Sequence, residues 1–190
     1  MFDFLKTRTP IERLTKRVTE TGGEDGPRIE AAQKLADMKS PEATFALAKR
    51  FTISSKVITQ DIEEKRMVVN MLAAKGEQAV EPLLRFLKSY HQVEWPVEAL
   101  ARILPNTELI PKLVTVLEDV AQNPFTSPEH RSSLIKAMHG HITPEIAEDD
   151  WDRVIRVNLT SVYLCCKYAI PHLAGRPGAS IVNTASSMAL

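Results

Sequence analysis

The sequence predicts a mainly α-helical protein made of two unlike parts. Up to about residue 148, repeated helix-start signals and apolar residues at helical spacing predict an array of helical hairpins. From Asp149 onward this pattern stops, and an apolar helix is followed by a short run typical of a buried strand. We therefore divide the chain into residues 1–148 and residues 149–190.

The composition is that of an ordinary globular protein. The 190 residues are 44% apolar and 25% charged, which is enough length and apolar content for a core. The 24 basic and 24 acidic residues cancel, so we expect neither a nucleic-acid partner nor an anionic membrane. No segment resembles a signal peptide or a membrane span, which predicts a cytoplasmic protein. The adjacent cysteines, Cys165 and Cys166, predict thiols in a reducing compartment.

Four helix starts share one signature, in which a hydroxyl residue is followed by proline and then an acidic residue. The first, Thr9-Pro10-Ile11-Glu12, also has the spacing of a capping box. Gly26 and Asp61 indicate two further starts, and Gly76 indicates a helix end. The other three copies of the signature are Ser40-Pro41-Glu42, Ser127-Pro128-Glu129 and Thr143-Pro144-Glu145.

Between these signals, apolar residues recur every three or four positions, which predicts helices that each bury one stripe. Leu84 and Leu100 lie on two of these stripes. The helices also repeat as pairs, with a period of roughly 30 to 37 residues. Residues 28–148 thereby resemble HEAT-like repeats of the short bacterial type, including those called PBS-lyase-like. The resemblance implies an α-solenoid of about four hairpins that binds a protein partner on its concave face.

No metal site is predicted. Some HEAT-like proteins are metal-dependent hydroxylases with paired His-Glu dipeptides, and this sequence has no such dipeptide. His139 and His141 flank a glycine at a predicted helix end, but two histidines there need a further ligand. We interpret them as helix C-terminal residues, where the dipole favours a cation.

Residues 149–190 carry a second resemblance. Three features occur in order, namely WDRVIRVN at residues 151–158, Pro171-His172-Leu173 closing a helix, and GASIVN at residues 178–183. Together they resemble the middle of a short-chain dehydrogenase/reductase, an enzyme with a Rossmann fold. By that resemblance Asn158 helps to hold a proton-relay water, and Ser186 hydrogen-bonds the substrate carbonyl. We predict a helix over about residues 150–172 and a strand over residues 180–184.

Other reductase features are not found in this sequence. Its early glycines, at positions 22, 23 and 26, lack the spacing of a pyrophosphate loop, so we predict no NAD(P) binding by this chain. The family's Tyr-x-x-x-Lys pair follows the serine, whereas Tyr163 and Lys167 precede Ser186, so we attribute their spacing to coincidence. We expect residues 149–190 to be an internal reductase piece, produced by gene fusion, a frame error or truncation.

These observations lead to two functional hypotheses. The first is a non-catalytic helical-repeat scaffold or protein-interaction module that carries a truncated reductase segment and needs no cofactor. The alternative is an NAD(P)-dependent short-chain oxidoreductase, with its remaining parts supplied by a longer or a second chain. In that case Asn158 and Ser186 would belong to the catalytic set.

Overall fold

A computed structural model describes residues 9–22, 25–123, 125–142 and 161–181. The chain divides into two compact units, Met1–Ile142 and Thr143–Leu190. All regular secondary structure within the described ranges is helical, which confirms the predicted mainly α class. The solenoid and Rossmann interpretations stay predictions.

The first unit has eight α-helices within its described ranges. Short 3₁₀ helices at Lys49–Thr52 and Gly76–Ala79 connect three of them. In chain order the α-helices are α1 (Pro10–Val18), α2 (Asp25–Asp37), α3 (Pro41–Ala48), α4 (Ile58–Ala74), α5 (Val80–Ser89), α6 (Glu94–Ala101), α7 (Asn106–Gln122) and α8 (Pro128–His139).

The predicted hydroxyl caps are confirmed at three helix starts, whereas α2 begins at Asp25, so the predicted start residue Gly26 lies within it. At α1 the Glu12 amide donates to Thr9 Oγ1 over 3.2 Å, and the Thr9 amide donates to Glu12 Oε2 over 2.8 Å. This reciprocal pair is a capping box. At α3 and α8 the Ala43 and His130 amides donate to Ser40 Oγ and Ser127 Oγ, which gives each helix a single capping bond. The signature at residues 143–145 lies outside the described residues.

The end of α4 is predicted correctly, but its start is not. Gly76, just after the helix, has a φ of 58°, a left-handed conformation that favours glycine at a helix C-terminus. The helix begins at Ile58, so Asp61 lies in its first turn and does not cap it. Asp61 Oδ1 instead accepts the amide of Ser55, which precedes the helix, over 3.0 Å.

The helices of the first unit pack as two rows. In one row α1 contacts α3, α3 contacts α5, and α5 contacts α7, while in the other α2, α4, α6 and α8 are in contact in that order. Contacts of α2 with α3, α5 with α6 and α7 with α8 join the rows. Leu84 and Leu100 are 8% and 0% exposed, so their predicted burial is confirmed. Full burial of one such side chain stabilises the fold by about 1.5–3 kcal/mol.

The described part of the second unit consists of one helix, α9 (Ser161–Leu173), followed by two turns. Gly175 and Gly178 have φ values of 84° and 78°, which those turns require. The helix confirms the later part of the predicted 150–172 helix, and residues 150–160 lie outside the described residues. The predicted strand is not seen at Ser180 and Ile181, which have no regular structure, and residues 182–184 are not described.

Candidate functional site

The two residues assigned by resemblance to a reductase, Asn158 and Ser186, lie outside the described residues. Tyr163 and Lys167 lie on α9, where the Lys167 Nζ is 5.9 Å from the centre of the Tyr163 ring. Tyr163 is 60% exposed, so this contact is on the helix surface. It is a cation–π pair between residues four apart, which any exposed helix with this spacing can form.

The first unit has an open surface cavity of about 640 Å³. We call it the Trp95 cavity. It lies between α4, α6 and α8, and its volume is within the usual range for ligand pockets. Its apolar wall includes Phe51, Val93, Trp95 and Ala137. Its polar lining residues are Thr52, Ser54, Lys65, His91, Gln92, Glu94, Ser133 and Lys136.

Two polar features lie at the start of α6. The N-cap residue, Val93, has no polar side chain, and the described structure shows no side-chain cap on α6. The first amides of a helix have no partner within it, so those of Glu94 and Trp95 are available as donors. Gln92 Oε1 is buried and has no hydrogen-bond partner among the described residues. The Nε2 atom of the same side chain lies 2.9 Å from His91 Nε2.

Behind Lys65, one of the lining residues, lies a buried network of five charged side chains from α2, α4 and the first 3₁₀ helix. Glu64 accepts from Arg28 through both carboxylate oxygens, at 3.0 and 2.7 Å, and also from Arg50 Nε at 2.9 Å. Asp61 accepts from Arg50 at 2.6 Å and from Lys65 at 2.7 Å. None of the five residues is more than 8% exposed. The network contains three cations and two carboxylates.

The charged groups of the network have hydrogen-bond partners, which explains how they can be buried. Arg50 also donates to the Ile53 carbonyl over 3.2 Å, and Arg28 to the Glu20 carbonyl over 3.4 Å. Burial alone would raise the pKa of Glu64, but hydrogen bonds from Arg28 and Arg50 hold the pKa below its ordinary value. The pKa of Asp61 is likewise lowered, because bonds from Lys65 and Arg50 outweigh the effect of burial. Both carboxylates are therefore ionised at neutral pH.

His130 is a buried histidine that joins the first turn of α8 to the end of α5. Its Nε2 lies 2.7 Å from the Leu87 carbonyl oxygen. Since a carbonyl can only accept, Nε2 must carry the proton and donate it. Burial lowers the pKa of His130 below its ordinary value, although the bond to Leu87 opposes the shift. The histidine is accordingly neutral at pH 7 and has a structural role between the two rows.

A second group of polar and aromatic residues lies on α3, on α5 and at the residues that directly follow these two helices. The Arg85 guanidinium is 4.2 Å from the centre of the Phe45 ring, and Lys49 Nζ is 5.5 Å from it. Phe86 and Tyr90 stack on each other at 4.7 Å beside this ring. Phe45 is therefore an aromatic partner for both cations.

The described residues contain no group of three or more His, Cys, Asp or Glu side chains arranged to hold a metal ion. None of the described helices is both long enough and apolar enough to cross a membrane.

Comparison with known proteins identifies one part of the chain. Residues 137–190 match the short chain dehydrogenase family. An uncharacterized oxidoreductase of Thermotoga maritima is 46% identical over 41 residues, which are 22% of this chain and 16% of that protein. The 3-oxoacyl-[acyl-carrier-protein] reductase FabG of Chlamydia pneumoniae is 46% identical over 44 residues, 23% of this chain and 18% of the reductase.

A probable short-chain type dehydrogenase/reductase of Bradyrhizobium diazoefficiens is 32% identical over 83 residues, covering 40% of this chain and 29% of that protein. This chain therefore spans less than a third of each of these relatives. No solved structure matches it. The predicted resemblance of the C-terminal segment to short-chain dehydrogenases is confirmed, and the family match begins at residue 137, before the predicted boundary at 149.

Proposed function

We propose that residues 9–142 form a HEAT-like helical-repeat module whose function is to bind another protein, and that the segment after it has short-chain dehydrogenase ancestry. The observation that carries this proposal is the two-row packing, in which each helix contacts the next but one. Helical repeats are built in this way, and their stacking creates an extended surface for a partner.

The sequence resemblance implied a partner on the concave face of such an array. Within the described surface, the Trp95 cavity has the features that a protein partner would use. Trp95 is half-buried, and aromatic side chains at the edge of a pocket are enriched among residues that dominate binding energy. The first amides of α6, which have no partner within the helix, belong to residues that line the same cavity.

Site-specific photo-crosslinking tests this proposal in the source cells. The crosslinking residue p-benzoylphenylalanine is placed at Lys136, which lines the cavity, or at Ile135, which is 55% exposed on the same helix and does not line it. We expect one discrete protein adduct from position 136 and none from position 135. Equal adducts at both positions, or no adduct at 136 in a folded chain, would contradict the proposed site.

The second candidate function is NAD(P)-dependent reduction, which the family match of residues 137–190 favours. Because one relative is named as a 3-oxoacyl-[acyl-carrier-protein] reductase, a 3-oxoacyl thioester with NADPH is the substrate pair to test. Ser186 could bind a carbonyl, but the reaction also needs a proton donor of suitable pKa. We expect no turnover by this chain alone. Turnover that is abolished in Ser186→Ala would replace the first proposal with this one.

A further inference from the structure

We draw no further inference here: the strongest candidate, the exposed apolar surface of α9 formed by Tyr163, Leu164, Tyr168 and Ile170, carries none because nothing in the described part of the chain shows what covers it.

Discussion

The contact of α2 with α4 and the contact of α5 with α7 occupy comparable places in the two rows but are built from different chemistry. The buried residues of α5 and α7 are all apolar. Those of α2 and α4 include Arg28, Asp61, Glu64 and Lys65. Between α5 and α7 the ion pair Lys88–Asp119 lies at the surface, with both side chains nearly half exposed.

The comparison shows that one architecture can hold its helices together in two ways. Apolar burial is non-directional and tolerates small shifts of one helix against the next. A buried arginine–carboxylate network is directional, because each donor must reach a particular oxygen. We therefore expect the removal of one charged side chain in the α2–α4 region to cause a large loss of unfolding free energy. In the α5–α7 region the loss should grow with the side-chain volume that is removed.

The largest effect should come from Glu64, which accepts from both Arg28 and Arg50. Glu64→Ala leaves the Arg28 guanidinium buried without a carboxylate and leaves Arg50 with Asp61 as its remaining carboxylate partner. Removing one partner of a buried ion pair typically costs about 3–5 kcal/mol. Urea unfolding measures the change. Glu63→Ala is the matched control, because Glu63 is exposed on the same turn and should change the free energy by less than about 0.5 kcal/mol. A small effect of Glu64→Ala would show that the network is not needed for stability.

Leucine truncation tests the apolar region. Leu84→Ala in α5 and Leu100→Ala in α6 should each lower the free energy of unfolding by about 2–5 kcal/mol. Leu100 is fully buried and Leu84 is 8% exposed, so Leu100 should lie at the upper end of this range. Thermal and urea unfolding provide the measurement. Unchanged melting of both variants would mean that these helices pack by other faces.

As the pH falls, protonation of His130 should lower the free energy of unfolding first. Protonation of the carboxylates Glu64 and Asp61 should lower it only at more acidic pH. The folded pKa of His130 is lowered, so its contribution to stability is present above the unfolded value of 6.5 and is lost as pH falls below it. The pKa values of Glu64 and Asp61 are lowered from 4.5 and 3.8, so their contributions are lost only in more acidic solution. Between about pH 6.5 and 5, His130→Gln should therefore lose less unfolding free energy than the unchanged protein, which urea unfolding at each pH measures.

His91 lies close enough to lower the pKa of His130 further, so the same titration in His91→Gln is the control for its charge. If the loss of stability at low pH disappears in His91→Gln but persists in His130→Gln, then His91 causes it and our assignment to His130 is wrong.

The smallest effect should come from the surface pair of the α5–α7 region. Lys88 Nζ lies 2.6 Å from Asp119 Oδ2, but both side chains are hydrated, and such pairs contribute about 0–1 kcal/mol. Lys88→Met should therefore barely change urea unfolding, and the residual effect should vanish in high salt. A loss comparable with that of Glu64→Ala would remove the distinction between the two regions.

Much of the first unit could be predicted from local signals in the sequence. The capping hydroxyls at Thr9, Ser40 and Ser127 act within four residues of themselves, so no distant information is needed to recognise them. The apolar stripes likewise depend on spacing along one helix, which is why the burial of Leu84 and Leu100 was predictable.

The ion network and the Trp95 cavity could not be predicted in this way. Arg28 is 5% exposed, although arginine is almost never fully buried unless it is paired. Its burial depends on Glu64, 36 positions away, and spacing within one helix contains no information about such a partner. The one available signal was Arg50, which lies within the mostly apolar stretch FALAKRF. The catalytic assignments of Asn158 and Ser186 stay predictions, because both lie outside the described residues.

The two-row packing also has a consequence for how the first unit folds. Helices with substantial contact in it are at most two places apart along the chain, and the bond from His130 to Leu87 reaches only one place further. Loop closure is therefore short at every step, and proteins dominated by such local contacts fold in about microseconds to milliseconds. Folding can begin at any adjacent pair and spread in both directions. The register of α2 on α4 is set where the Arg28 guanidinium meets Glu64, because that pairing fixes two hydrogen bonds at once.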